Sequence, residues 1–249
     1  MEIITSSQNQ FVKLAQSLLD KKGREETGLF LAEGINLLKD MPSDVVVKYI
    51  FATAEREEEA TSIAQRYSDI KQYQVTEQIL EKISDTKTPY VIVAVCEKKE
   101  INFTLPKGNA LILDKVSDAG NLGTIIRTAA AAGFEDLYLY NCVDVYSPKV
   151  IRSTLGGIFR LRIYNVTLEQ ALEVAKKSVS VCLDMSGDNI MENKLVSPVT
   201  LIMGSEAHGI SKEIRENVSK TISIPMKNNI ESLNVSIAAA IAMYSVREV

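Results

Sequence analysis

The stretch IPMKNNIESLNVSIAAAIA, residues 224–242, carries a polar loop directly into an apolar helix. The first part contains three Asn, one Glu and one Ser, and the alanine- and isoleucine-rich run from Val235 onwards favours a helix with an apolar surface. Ser232 or Asn234 can cap this helix, because their side-chain oxygens accept hydrogen bonds from the free N–H groups of its first turn. The same N–H groups favour the polar or anionic end of a ligand. The stretch therefore predicts a ligand-binding loop at the start of the helix.

Two earlier segments are also rich in glycine and polar residues: DAGNLGTIIR at residues 118–127 and MGSEAHGIS at residues 203–211. Together with residues 224–242, and in this order along the chain, they resemble motifs 1, 2 and 3 of the SpoU (TrmH-type) branch of the SPOUT RNA methyltransferases. The chain departs from the family pattern at two backbone-shaping positions, since Ala119 stands where Pro is common and Ala207 where Gly is common. No catalytic side chain of the family pattern is missing, so we expect an active enzyme.

Strands and helices alternate from residue 110 to residue 246 in the pattern of an α/β domain. Two predicted strands, Leu111–Leu113 and Thr200–Met203, are continuous apolar runs, which favours a parallel sheet with helices on both faces. Ordinary topology rules predict an unknotted sheet, because threaded chains are almost absent among proteins. The resemblance instead implies a C-terminal parallel-sheet SPOUT domain with a deep trefoil knot.

Residues 1–97 also alternate between predicted strands and helices, beginning with an amphipathic helix over residues 7–22. Within this part, FLAEG at residues 30–34 resembles the small L30e-like α/β domain that often precedes SpoU catalytic domains and binds their RNA substrate. Residues 98–106 are polar, contain a proline and have no clear periodicity, which indicates a linker. We therefore expect an L30e-like substrate-binding domain at 1–97, a linker at 98–106 and a catalytic domain at 107–249.

The composition is typical of a soluble globular protein, with 46% hydrophobic residues, 24% charged residues and a net charge of −4. This charge argues against a protein that coats polyanions generally, although a local basic patch can still bind RNA. The three cysteines have no C-x-x-C spacing and His208 is the only histidine, so we expect reduced thiols and no metal site. No apolar run reaches the roughly 18 residues of a membrane span, and the N-terminus is not a signal peptide, which predicts a cytoplasmic protein.

Two common nucleotide-binding patterns are not matched. No Gly-x-Gly-x-x-Gly sequence follows a predicted strand, which argues against a dinucleotide site. Gly204 and Gly209 have the glycine spacing of a P-loop, but Ile210-Ser211 follows where Lys-Ser/Thr is required, so nucleotide hydrolysis is disfavoured.

The resemblance implies that S-adenosylmethionine (SAM) is the cofactor and that no metal takes part. It assigns contacts with SAM, mostly through backbone amides and apolar side chains, to Met203, Gly204, Ile224, Met226 and Leu233. Without the resemblance, Met203, Ile224 and Leu233 would be interpreted as ordinary core residues. Gly204 follows a predicted strand directly, where a missing side chain lets the backbone approach a ligand closely.

The resemblance also implies that Arg127 is the key catalytic residue. Around it the family places four polar side chains: Asn121, Glu206, Ser232 and Asn234. Two roles for Arg127 are open, because it can accept the proton of the ribose hydroxyl or bind the adjacent phosphate and stabilise the developing alkoxide. The first role is costly, since the reference pKa of arginine is above about 12. Without the resemblance, Arg127 would be interpreted as a surface arginine, Asn121 as a helix cap and Glu206 as a solvated loop acid. His208 occupies a variable position of motif 2, and we expect no catalytic role for it.

Four basic residues, Lys149, Arg152, Arg160 and Arg162, lie in a part of the chain without acidic residues from Val145 to Leu168. This run can contact RNA phosphates, and a solvated helix face is the alternative. The terminal helix, from about residue 235 to residue 246, is apolar almost all round, which exceeds what one core face requires. Since SPOUT relatives pair near this helix, we expect a homodimer through the catalytic domain.

The sequence therefore predicts a SAM-dependent RNA 2′-O-ribose methyltransferase. Ribosomal RNA is favoured over transfer RNA, because an L30e-like first domain resembles those of rRNA-directed family members. The alternatives are a tRNA 2′-O-ribose methyltransferase and a non-catalytic RNA-binding or assembly factor with the same fold.

Overall fold

The computed structural model describes residues 1–68, 70–86, 92–205 and 208–247. Up to residue 100 the chain forms β1 Glu2–Ile4, α1 Gln10–Ser17, α2 Lys21–Thr27, β2 Leu29–Glu33, α3 Ile35–Asp40, β3 Val47–Ala52, α4 Glu57–Ala64, β4 Lys71–Val75, α5 Glu77–Lys82 and β5 Ile92–Glu97. The remainder forms β6 Ala110–Asp114, α6 Ala119–Ala131, β7 Asp136–Tyr140, α7 Pro148–Thr154, β8 Arg162–Asn165, α8 Leu168–Lys177, β9 Ser180–Asn189, β10 Leu195–Val196, β11 Thr200–Gly204, α9 Lys212–Arg215, β12 Lys220–Ser223, α10 Val235–Ser245 and β13 Val246–Arg247.

The chain divides into two compact units. The first contains Met1–Glu100 together with Asp144–Phe159, and the second contains Ile101–Val143 together with Arg160–Val249. Residues 144–159, which the sequence places in the catalytic domain, thus group with the first unit. They do so because α7 packs on β2, with the rings of Tyr146 and Phe30 5.0 Å apart. The exact domain boundaries stay a prediction.

The first unit is built on a mixed five-stranded sheet in the order β1-β4-β3-β5-β2. Strand β5 runs antiparallel to both β2 and β3, and its residues from Ile92 to Cys96 are fully buried. In place of the predicted helix 7–22, α1 ends at Ser17 and α2 begins at Lys21. Arg24 of α2 is buried and donates to the carbonyls of Leu18 and Leu19, in the turn between the two helices, and to Asp144 at 2.8 Å.

The second unit is built on a six-stranded, all-parallel sheet in the order β12-β9-β11-β6-β7-β8. The two apolar runs that predicted a parallel sheet are its central strands β6 and β11, which pair in register from Ala110 with Thr200 to Asp114 with Gly204. A two-residue parallel pair joins β10 and β13. The α/β class and the parallel sheet are confirmed, and the trefoil knot stays a prediction.

Part of the predicted linker packs on the second unit. The side chains of Ile101, Phe103 and Leu105 lie against its buried core cluster. Between them, the hydroxyl of Thr104 hydrogen-bonds the hydroxyl of Tyr164 at 2.9 Å, and its carbonyl accepts from Tyr138. The segment from residue 101 onwards is therefore tied to the sheet by apolar and polar contacts.

The three cysteines are free thiols, with Cys96 and Cys182 buried and Cys142 half-buried. Burial raises the pKa of Cys96, and it raises that of Cys142 to about 12. Within the described residues, no helix is both long and apolar enough to cross a lipid bilayer.

Candidate functional site

A cavity of about 400 Å³ opens at the carboxyl end of β11 and beside the middle of β9, just beyond the residues of β9 that pair with β11. Ligands of open α/β sheets bind at this end of the strands. The five residues predicted to contact SAM all line it: Met203, Gly204, Ile224, Met226 and Leu233. Ser232 also lines it, as do Val235 and Ala238 from the first turns of α10. Motifs 2 and 3 of the sequence thus meet around one cavity.

Motif 2 turns tightly at the mouth of this cavity. Ser205 and Gly209 form an isolated bridge, in which the Gly209 N–H donates to the Ser205 carbonyl at 2.8 Å. A Cβ atom at Gly204 would lie 2.0 Å from the carbonyl carbon of Gly209. The sequence predicted that a glycine at 204 lets the backbone approach a ligand closely. In the structure, the close neighbour of Gly204 is the backbone of Gly209, in the same loop. Glu206, predicted to lie near Arg127, is outside the described residues, as is Ala207.

Asp114, which the sequence interpretation missed, anchors the end of motif 2. It is the last residue of β6, pairs in register with Gly204 and is fully buried. Its Oδ2 atom accepts hydrogen bonds from the backbone N–H of Ser211 at 2.6 Å and from the Ser211 hydroxyl at 2.5 Å. An acid at the end of the apolar run ALIL was the signal that could have identified it.

Motif 3 forms the opposite wall through a tight turn and a helix cap. Asn228 and Asn229 both have positive φ, 57° and 56°, which makes Lys227–Ile230 a type I′ turn. Of the two candidate caps of α10, Asn234 takes the role. Its Oδ1 atom accepts from the backbone N–H groups of Ser236 at 2.9 Å and Ile237 at 3.4 Å, and from the Ser236 hydroxyl at 2.6 Å.

A hydrogen bond between two asparagines joins motif 3 to motif 1. The Nδ2 group of Asn234 donates to Oδ1 of Asn121 at 2.9 Å, although 113 residues separate them. Asn121 is not the cap of α6, since Asp118 caps that helix and accepts from the Asn121 N–H at 2.8 Å. Helices α6 and α10 pack against each other, so the two motifs share one helix pair.

Arg127 lies on the exposed side of α6, six residues after Asn121. Among the described residues it has no hydrogen-bond or ion-pair partner, and it does not line the cavity. The structure thus brings Asn121, Ser232 and Asn234 together with the predicted SAM contacts, and presents Arg127 on the same helix as Asn121.

The four basic residues of the predicted RNA contact behave differently from one another. Lys149 and Arg152 belong to the first unit, whereas Arg160 and Arg162 belong to the second. Lys149, Arg160 and Arg162 are exposed on the surface, and Arg152 is half-buried. Arg152 and Arg162 form ion pairs with carboxylates, which the spacing of the basic residues could not reveal.

In the first unit, Arg152 pairs with Asp85 at 3.0 Å and with the buried Glu33 at 3.7 Å. Burial raises the pKa of Glu33, against the lowering effect of hydrogen bonding by Ser84 and of the Arg152 charge. In the second unit, Arg162 forms two hydrogen bonds with Asp136, at 2.7 and 2.9 Å. It also donates to Glu135 at 2.9 Å. These carboxylates raise the pKa of Arg162.

No group of histidine, cysteine or acidic side chains within the described ranges has the arrangement of a metal site. His208 is exposed, and its backbone N–H donates to the Ser205 hydroxyl at 3.2 Å.

Two family models match the chain. The model of the SpoU rRNA Methylase family matches residues 108–244, and that of the MRM3-like substrate binding domain matches residues 9–94. Among curated relatives, the 23S rRNA (guanosine(2553)-2′-O)-methyltransferase RlmP of Bacillus subtilis is 32% identical, covering 99% of this chain and 100% of the relative. An uncharacterized tRNA/rRNA methyltransferase of Synechocystis is also 32% identical, over 98% of this chain and 93% of the relative.

Solved structures agree with these matches in fold. The AdoMet-bound rRNA methyltransferase of Sinorhizobium meliloti superimposes with a TM-score of 0.86 at 28% identity, covering 98% of this chain and 96% of that one. The SpoU methyltransferase AviRb of Streptomyces viridochromogenes superimposes with a TM-score of 0.83 at 25% identity, covering 95% and 96% of the two chains. With the sheet, the cavity and the three motifs, these matches show that the chain belongs to the SpoU rRNA methylase family.

Proposed function

We propose that this protein is a SAM-dependent RNA 2′-O-ribose methyltransferase that acts on ribosomal RNA. The observation that carries the proposal is the cavity at the carboxyl end of β11, lined by motifs 2 and 3 and joined to motif 1 through the Asn121–Asn234 hydrogen bond. The relative from Bacillus subtilis, which matches along its whole length, is named for this reaction on 23S rRNA.

The cavity fits SAM in size and in chemistry. Its volume of about 400 Å³ lies within the range of roughly 300–1,000 Å³ found for small-molecule pockets. Met203, Ile224 and Leu233 supply apolar surface, and the loop backbone around Gly204 and Ser232 supplies hydrogen-bonding groups. SAM when bound supplies a methyl group activated by its sulfonium, so the protein needs to hold two substrates in line and needs no metal.

Arg127 is the group that we propose acts on the acceptor ribose. Its guanidinium is exposed and has no partner among the described residues, so it is available to an RNA phosphate or to the developing alkoxide. Proton acceptance by Arg127 remains the alternative role, at the cost of neutralising a strongly basic group. Asn121 and Asn234 hold the start of α6 against the start of α10 and thereby position Arg127 relative to the cavity.

Ribosomal RNA is the favoured substrate class because two relatives that match this chain broadly are named for 23S rRNA, RlmP of Bacillus subtilis and RlmB of Haemophilus influenzae. The relative from Synechocystis is named for tRNA or rRNA, which keeps a tRNA methyltransferase as the second candidate. We propose that the first domain selects the RNA and expect the enzyme in the cytoplasm.

We further propose a homodimer through α10. The side chains of Ile237 and Tyr244 are 50% and 66% exposed, and the half-buried Ile241 lies between them. Their spacing of i, i+4 and i+7 places all three on one side of the helix, where they form an apolar stripe. Sedimentation of the full chain at micromolar concentration should give about twice the mass of 27.5 kDa. A monomer at that concentration would refute the assembly.

Methyl transfer to RNA tests the proposed function. The full chain is incubated with tritiated SAM and either 23S rRNA or total tRNA from cells that lack the gene, in the presence of EDTA. We expect incorporation into rRNA, located as a 2′-O-methyl group by its resistance to alkaline cleavage. Incorporation into tRNA alone would move the assignment to the second candidate, and RNA binding without incorporation would favour an assembly factor.

A further inference from the structure

Asp184 of β9 is an acidic residue in the wall of the cavity, and none of the three motifs contains it. It lies between Leu183 and Met185, two residues beyond Cys182, where the pairing of β9 with β11 ends. Its side chain is 22% exposed. Asp184 is in the middle of β9 but lies level with Gly204, the last residue of β11, so its half-buried carboxylate is at the edge of the sheet where ligands of parallel sheets bind.

The protein holds the Asp184 carboxylate in place without help from a ligand. Its Oδ1 atom accepts hydrogen bonds from the backbone N–H of Ser186 at 3.0 Å and from the Ser186 hydroxyl at 2.6 Å. Its Oδ2 atom pairs with the guanidinium of Arg215, in α9. Because these partners fix the group from two sides, little conformational entropy is lost when it accepts one more hydrogen bond.

The free acceptor capacity of Asp184 suits a neutral donor. An ionised carboxylate has about four lone-pair positions, and Ser186 and Arg215 use three of them. An ammonium group would stand beside the Arg215 guanidinium and be repelled by it, whereas a hydroxyl would not. In dinucleotide-binding sheets, an acid near a strand end accepts hydrogen bonds from a ribose hydroxyl.

We propose that Asp184 binds the ribose hydroxyls in the nucleoside half of SAM, and so selects an adenosine ligand with an intact ribose. This inference rests on the proposed function, in which SAM occupies the cavity. It adds a specificity-determining residue outside the three motifs.

Calorimetry on the full chain tests the inference with S-adenosylhomocysteine and with 5′-methylthioadenosine, which lacks the amino-acid half. Asp184→Asn should weaken both ligands by roughly 10- to 100-fold, as expected for loss of a hydrogen bond to a charged group. The matched control is Asp188→Asn. Asp188 is on the same strand, pairs with Lys220 at 3.6 Å and does not line the cavity. The Asp188→Asn variant should bind both ligands as tightly as the unaltered protein does.

Removing the hydroxyls from the ligand gives the converse measurement. The unaltered protein should bind 2′- or 3′-deoxy-5′-methylthioadenosine more weakly than 5′-methylthioadenosine, and Asp184→Asn should show no such difference. If Asp184→Asn binds 5′-methylthioadenosine normally and loses only S-adenosylhomocysteine, the group bound is the ammonium and the inference is wrong.

Arg215→Gln separates ligand contact from a purely structural ion pair. Ser186 still holds Asp184 in this variant, so affinity should stay within a few-fold of normal. An equal loss in Arg215→Gln and Asp184→Asn, with equal lowering of the melting temperature, would refute direct contact. If the unaltered protein binds no S-adenosylhomocysteine, the proposed function fails instead, and the two failures are thus distinguishable.

Discussion

The second unit contains two regions that use polar side chains in opposite ways. At the β7–β8 edge, Asp136 has a side chain only 1% exposed and is satisfied by Arg162 and by the hydroxyl of Tyr164. On the α6–α10 face, the guanidinium of Arg127 has no partner within the described residues, and the cavity beside α10 is lined by apolar side chains together with a few polar ones, among them Asp184 and Ser232. The difference teaches that an arginine saturated by carboxylates stabilises the fold, whereas one without a partner among the described residues is the better candidate for binding a substrate.

Substitution of Arg127 should have the largest effect of the changes proposed for the two regions. We expect Arg127→Ala to lower the rate of methyl transfer by at least about 100-fold, as for other groups that stabilise charge developing in a transition state. Affinity for S-adenosylhomocysteine should stay within a few-fold, because Arg127 does not line the cavity. Single-turnover transfer and calorimetry measure the two quantities. A variant with most of its activity would make Arg127 a surface residue, and one that binds no cofactor would assign it to the cavity.

Gly204→Ala tests whether the cavity depends on the tight turn of motif 2. The new Cβ would lie 2.0 Å from the Gly209 carbonyl carbon, so the loop must move, and we expect cofactor affinity to fall more than about 10-fold. The control is Gly133→Ala, which has a φ of 74° but meets no atom within 4 Å. It should lower stability by about 1 kcal/mol without affecting affinity. Normal cofactor binding by Gly204→Ala would contradict this account of the turn.

At the opposite edge, Arg162→Ala should affect stability and leave the chemistry intact. The buried Asp136 would lose two hydrogen bonds, which we expect to lower the free energy of unfolding by about 1–3 kcal/mol. Arg160→Ala is the control, since Arg160 is exposed and its removal should change stability by less than about 0.5 kcal/mol. Urea denaturation measures both. If Arg162→Ala is as stable as the control but transfers methyl groups slowly, the two regions do not differ as described.

The smallest expected effect concerns RNA binding by the basic residues. We expect Arg160→Ala to reduce the slope of log affinity against log salt by about 0.7–0.9, the value for one phosphate contact. Arg152→Ala should leave the slope unchanged, because Arg152 is engaged with Glu33 and Asp85. Filter binding to rRNA between 50 and 200 mM salt, about the range over which such contacts weaken, gives the slopes. Equal reductions of the slope in both variants would instead support the RNA contact by all four basic residues that the sequence predicts.

The parallel sheet could be predicted because its evidence is local. Strands β6 and β11 are apolar at every position but their ends, and α10 begins at the residue that its cap predicts. Other elements gave weaker signals. Strand β8 is a four-residue edge strand with exposed ends, and the sequence pattern did not predict a strand at these residues.

What the sequence could not reveal depends on partners far away along the chain. Arg152 and its acceptor Glu33 are 119 positions apart, so the basic run looks uniform in the sequence although its members have different environments. Asp184 was overlooked for the same reason, because its position beside motifs 2 and 3 exists only in the folded sheet. Motif 1 predicted that Arg127 lies on the first helix after β6. It could not predict that Arg127 has no hydrogen-bond or ion-pair partner among the described residues.

The hydrogen bond between Asn121 and Asn234 restricts how the two positions can change during evolution. Asn234 accepts three hydrogen bonds through Oδ1 and donates one through Nδ2. Aspartate or serine could replace it as a helix cap, but neither has an amide N–H for Asn121. Aspartate at 234 would set two acceptor oxygens against each other unless the Asn121 amide turned to present its Nδ2 group. A substitution at one position therefore changes the group that the other must present, and we expect the two positions to vary together.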